Sequence, residues 1–194
     1  MVKTSRCAWC GDDPLYVAYH DLEWGVPVSD RILLFERLVL EGMQAGLSWL
    51  TVLRKREHMR SSFCGFDPET LDRAGPGLMD SWLADAGLIR HRGKLRAVIE
   101  NARACLAMGD RFPEFLWSVV DGKPIQNRWK SLEEVPSMTP RSEALSKALR
   151  KAGFGFVGPT VCYAFMQSAG LVNDHIVSCH RHRECRALGK TWSG

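Results

Sequence analysis

Glu41 is the carboxylate best placed to do chemistry in this chain. Leu34 and Leu38 precede it at i−7 and i−3 and Ala45 follows at i+4, which sets it on the apolar stripe of a helix. An acid on a core-facing seam costs several kcal/mol unless it is ion-paired or faces a cavity. Its company favours the cavity. Trp9, Tyr16, Tyr19, Trp24 and Trp49 all fall within the first fifty residues of a chain that has only three tyrosines. Flat rings around one carboxylate suit an extruded, cationic or electron-poor base, held by stacking, hydrogen bonds and charge. The same rings also suit an ordinary aromatic core, as a buried ion pair would also account for the acid. Tyr16 and Tyr19, three residues apart, share one face of a helix.

A second constellation divides between the chain ends. Cys7, Cys10 and His20 lie near the start, and His175, Cys179, His180, His182 and Cys185 near the end. The i, i+4 spacing of His175 and Cys179 predicts two ligands on one side of a helical turn. Zinc takes four such ligands and in a closed site only fixes structure. Spacing does not choose four among these eight, and unrelated reduced thiols would look the same. A catalytic zinc would keep one position open, and no H-E-x-x-H motif is present. Cys64, Cys105 and Cys162 sit among apolar helical neighbours and read as small core residues. Seven cysteines is an odd number, expected to be reduced in a cytoplasmic chain.

Helices must carry these groups, because periods near 3.6 dominate and no β-branched alternation is sustained. The fold class is all-α, a compact helical bundle over 1–194. Helices are expected from Ser29 or Asp30 to about Ala45, from Ser48 to Met59, after Asp67-Pro-Glu69, from Leu78 to Ala86, from Gly93 to Met108 and from Phe112 to Val120. Asp121 to Thr139 is the expected long loop. Between about 142 and 170 lies the clearest local construction: a helix to Ala152, the turn Phe154-Gly-Phe-Val-Gly158, then a helix opened by Pro159. Gly155 and Gly158 would supply φ > 0 and close backbone approach. A glycine turn that opens onto a helix N-terminus can offer N–H groups to a phosphate. It resembles a helix-hairpin-helix, a sequence-independent clamp on the DNA backbone, although a plain αα-corner needs the same glycines. Gly155, Val157 and Gly158 would then touch the backbone, with Lys147 and Lys151 beside them.

Composition fits that picture without proving it. The 194 residues are 45% hydrophobic and 25% charged, as in an ordinary folded domain, which excludes wholesale disorder. No apolar run approaches the ~20 residues that span a bilayer, and Met1 to Cys7 has no apolar leader, so a cytoplasmic location is expected. The net charge of +4 permits a nucleic-acid partner and does not require one. Seven acids against two Lys or Arg lie between Asp12 and Glu41, and the basic clusters follow later, at Arg54–Arg56, Arg90–Arg96, Lys147–Lys151 and Arg181–Arg186. An acidic pocket with a phosphate-binding rim would have this layout.

Five segments carry a family resemblance: Asp13-Pro-Leu-Tyr-Val-Ala-Tyr-His-Asp-Leu-Glu-Trp-Gly-Val-Pro27, Leu40-Glu-Gly-Met-Gln-Ala-Gly-Leu-Ser-Trp49, Ile89-Arg-His-Arg-Gly-Lys94, Gly155-Phe-Val-Gly158 and Gly170-Leu-Val-Asn-Asp-His175. From about Cys7 to Cys179 the chain resembles DNA-3-methyladenine glycosylase I, of the helix-hairpin-helix glycosylase superfamily. The resemblance implies hydrolytic release of 3-methyladenine from alkylated double-stranded DNA, and one structural zinc that joins the termini through Cys7, His20, His175 and Cys179. It further implies Glu41 as the base-reading acid, Tyr16, Tyr19 and Trp49 in the pocket, and Trp9 and Trp24 nearby. Cys10, His180, His182 and Cys185 fall outside the family's ligand set. The superfamily's catalytic aspartate falls at Asn173, next to Asp174. No lysine stands where a Schiff base would form, which implies base release without strand cleavage. A monomer is the default. A non-catalytic helix-hairpin-helix binding module and a zinc hydrolase are the competing readings.

Overall fold

Side-chain caps start most of the helices. The computed structural model describes residues 5–193; Met1 to Thr4, part of the stretch expected to lack a leader, lie outside them. Asp13 accepts the Leu15 and Tyr16 N–H groups and, with Pro14 behind it, opens α1 (Pro14–Leu22). Asp30 opens α2 (Arg31–Gln44) and Ser48 opens α3 (Trp49–Ser62). Asp67 then opens α4 (Pro68–Ala84), and His91 opens α5 (Arg92–Met108). Each such cap is worth about 1 kcal/mol and fixes where the chain turns into its helix. α6 (Arg111–Trp117) follows with a short 3-10 turn. Thr139 and Ser142 form a reciprocal box at the head of α7 (Pro140–Lys151). α8 (Pro159–Ser168) and α9 (His180–Thr191) complete the helices among the described residues.

Three expectations change. The two helices foreseen between Asp67 and Ala86 are one, α4, which runs through Gly75-Pro76-Gly77. Gly75 permits it, since a Cβ there would lie 2.8 Å from Ile99 of α5, and the close α4–α5 packing holds the proline-containing turn. The loop 121–139 contains β1 (Ile125–Gln126), which pairs in parallel with β2 (Val172–Asn173), Ile125 opposite Val172. The architecture is therefore helical with one small strand pair. His175 to Cys179 is a turn and not a helix, because Cys179 is the extended N-cap of α9 and its N–H bonds the Ile176 carbonyl.

The main core is built of α2, α5, α6 and α8 with residues such as Leu34, Phe35, Leu38, Leu95, Phe112 and Phe165 fully buried. A smaller cluster of Cys7, Tyr19, Trp24, Leu53 and Cys179 joins the beginning of the chain to its end. No helix among the described residues is long and apolar enough to cross a membrane.

Candidate active site and metal centre

A cavity of ≈ 380 Å³ opens where α1, α2, α3 and α8 meet the loop 121–139, a size that suits a small ligand. Glu41 and all five aromatics singled out from sequence, Trp9, Tyr16, Tyr19, Trp24 and Trp49, line it. The rings support one another: Trp9 lies 5.1 Å from Tyr16 and 4.9 Å from Trp24, and Tyr19 lies 5.3 Å from Trp49, centroid to centroid. The Trp49 indole N–H is buried and has no hydrogen-bond partner.

Glu41 is 4% exposed. Burial pushes its carboxyl up to about 8, only partly offset by the Ser168 hydroxyl and by Arg37 one turn back. In the free protein at neutral pH it is mainly the neutral acid. Burial also raises the Tyr16 and Tyr19 phenols, helped in both by nearby Glu41, so both remain hydrogen-bond donors.

Six lining residues escaped the sequence reading as site residues: Leu132, Val135, Pro136, Ala164, Gln167 and Asp174. Asp174 had a signal, its place beside Asn173. Side chains alternate along an extended segment, so the two residues face opposite ways. Asn173 turns from the cavity and donates to Gln126 Oε1 and the His182 carbonyl. Asp174 takes the cavity wall.

Behind the aromatics, Cys7, His20, His175 and Cys179 are all buried and bring their ligand atoms within 4.8 Å of one another. The Cys7 and Cys179 sulfurs each lie 3.6 Å from His175 Nδ1, and Cys179 Sγ lies 3.5 Å from His20 Nε2. A tetrahedral zinc with ordinary Zn–S and Zn–N bonds has S···N edges of about 3.6 Å. The outer nitrogens are also fixed: His20 Nδ1 lies 2.7 Å from Asp21 and His175 Nε2 lies 3.0 Å from the Trp24 carbonyl, as metal-bound imidazoles require. The residues present therefore fit a metal. The other candidates are engaged elsewhere, Cys10 with the Cys7 carbonyl, His180 with Ser5, His182 with Asn127 and Cys185 near the Trp24 carbonyl.

The turn between α7 and α8 corrects two details. Positive φ falls at Gly153 and Phe156, not at Gly155 or Gly158. Gly155 serves close approach, since a Cβ would lie 3.3 Å from that of Ala97. Its N–H is taken by Asn101 Oδ1 at 2.7 Å, which leaves Val157 and Gly158 for any phosphate. Lys147 and Lys151 are exposed on one face of α7.

The methyladenine glycosylase family model matches residues 9–182. The chain is 54% identical over 177 residues to DNA-3-methyladenine glycosylase 1 of Escherichia coli strain K12, covering 90% of this chain and 95% of that protein. It superposes on a crystal structure of 3-methyladenine DNA glycosylase I with TM-score 0.89 and 54% identity, over 91% of this chain and 98% of the other. A tyrosine-to-phenylalanine variant of 3-methyladenine DNA glycosylase I, solved in complex with 3-methyladenine, superposes with TM-score 0.87 at 35% identity, over 90% of this chain and 96% of the other.

Proposed function

The chain belongs to the methyladenine glycosylase family and is a hydrolase of N-glycosyl bonds of the DNA-3-methyladenine type, and on that premise we propose that it flips 3-methyladenine out of duplex DNA and releases it without cutting the strand. The observation that carries this is the cavity itself, on which the buried Glu41 and five rings converge. Methylation at N3 leaves the base cationic while it is joined to the sugar. The C1′–N9 bond breaks with its electron pair passing to the base, which departs neutral. Water adds to C1′, loses a proton and leaves an abasic sugar.

The acid reads the base edge and the rings hold its faces. Entry of a cation into the cavity favours the ionised form of Glu41, which then accepts hydrogen bonds from the amino edge. Trp49 stacks on the base, and its unpartnered N–H is available to the ligand or its backbone. Tyr16 and Tyr19 complete the polar contacts, with Trp9 and Trp24 packed behind. Among the described residues no lysine lines the cavity, which supports simple hydrolysis over a Schiff base.

The turn Phe154–Pro159 acts as a helix-hairpin-helix clamp through Val157 and Gly158, with Lys147 and Lys151 alongside and Gly155 shaping the approach. The loop Gln44–Ser48, at the cavity edge, fills the stack that the base vacates. Zinc held by Cys7, His20, His175 and Cys179 supplies a structural cross-link.

The test is a reaction on methylated, end-labelled duplex DNA, with bases resolved by chromatography and strands by gel. 3-Methyladenine should appear while the strand stays whole until alkali cleaves the abasic site. Strand breaks without alkali would refute the monofunctional reading. Binding without any base release would favour the non-catalytic DNA-binding module.

A further inference from the structure

Lys94 is a buried ammonium that base recognition through Glu41 and the rings does not use. It is 7% exposed and, among the described residues, has no carboxylate partner. Its Nζ instead donates to the Met43 carbonyl at 2.8 Å and the Ala45 carbonyl at 2.6 Å. Both lie at the end of α2, where a helix leaves its last carbonyls without partners and a cation is favourable. The chain that follows is tied twice more. The Leu47 N–H donates to the Gln44 carbonyl at 2.7 Å, and Gln44 Nε2 donates to the Leu47 carbonyl at 2.9 Å. Lys94 does not line the cavity of Glu41; it lines a separate small space between α2, α5 and Phe156.

The two carbonyls flank the start of the loop Gln44–Ser48, which joins the helix of Glu41 to Trp49 at the head of α3. Two helical turns further along the same face of α5, the buried Asn101 holds the other segment proposed to meet DNA. Its Oδ1 accepts the Gly155 N–H at 2.7 Å and its Nδ2 donates to the Gly155 carbonyl at 3.2 Å. One helix thus clasps the backbone of both segments through buried polar side chains. A loop that enters a base stack has to be stiff, since a flexible one loses part of its interaction free energy to ordering. Charge-assisted bonds from a buried ammonium are strong and are in place before DNA arrives. We propose that Lys94 is a positioning residue for base extrusion: it fixes the loop Gln44–Ser48 in the attitude that fills the vacated stack and touches neither base nor sugar. The inference rests on the glycosylase reading. A lysine that served only the stability of α2 would not act specifically through that loop.

The experiment follows two quantities: single-turnover release from duplex carrying 3-methyladenine at saturating protein, and affinity for free 3-methyladenine. Wild type, Lys94→Met, Leu47→Ala and the double variant are compared, Leu47 being the loop's exposed apolar side chain. Lys94→Met should slow release about tenfold or more, the scale of losing charge-assisted hydrogen bonds to two carbonyls, and leave free-base affinity nearly unchanged. In the double variant the slowing should fall well short of the product of the two single losses, because both residues act through one loop. Undiminished release in Lys94→Met, an equal loss of free-base affinity, or multiplying losses in the double variant would overturn the inference. If Lys94→Met does not fold, Lys94→Gln enters the same cycle under the same criteria, with a smaller slowing expected because its amide still donates. A folded wild type that releases no base would overturn the glycosylase reading itself, a result distinct from intact release in Lys94→Met.

Discussion

Glu41 combines the proposed base-reading role with a cost of burial. Its carboxyl is pushed from the usual carboxylate range up to about 8 by burial, so the folded state binds its proton more tightly than the unfolded chain does. The stabilisation this gives is complete below the unfolded value and fades as pH rises through about 8. Glu41→Gln, which carries no proton to lose, should therefore be more stable than wild type at pH 9, by a few kcal/mol at most, and near equal at pH 5. Thermal melts across that range check it; a gap that does not widen with pH would show that burial does not penalise the ionised acid. Glu41 was legible in the sequence because an acid on an apolar stripe is an exception to helix patterning. Asp174 was marked only by its place beside Asn173, because its neighbours give no periodic pattern and its four hydrogen-bond partners are Asn127, Trp129, Tyr163 and Gln167, up to 47 positions away.

Among the elements, the capped helices were the most readable. Asp30, Ser48 and the Asp67-Pro68 pair each announce a start that the structure keeps. What sequence could not show was set by contacts between elements: the closeness of α5 that lets α4 run through Pro76, and the pairing of β1 with β2. The segment His175–Cys179 has helical spacing but bends, because Cys179 must cap α9 while its sulfur turns to His20. The α7–turn–α8 unit supports a prediction of its own. Lys147→Ala together with Lys151→Ala should weaken binding to undamaged duplex and reduce the slope of log K against log salt by about 1 for each phosphate that a lysine no longer neutralises. Cavity affinity for the free base should not change. An unaltered salt slope would remove α7 from the DNA interface.

At the scale of the whole molecule, the Cys/His cluster and the aromatic cavity share a wall. Trp9 packs 5.2 Å from His20 and Trp24 packs 4.6 Å from His175, centroid to centroid, so a metal bound by the cluster would also steady the cavity aromatics. Cys179→Ser or chelation should lower the melting temperature and shift tryptophan fluorescence, as expected when binding energy is folding energy. A melting temperature unaffected by metal removal would contradict the structural role. In the proposed function this cavity reads the alkylated base through Glu41 and its rings. The most direct measurement is titration of free 3-methyladenine into wild type and Glu41→Gln, followed by tryptophan fluorescence. Wild type should show saturable one-to-one quenching, and Glu41→Gln should bind at least about tenfold more weakly, a loss of roughly 1.4 kcal/mol or more. Equal affinity in the two proteins would contradict the claim.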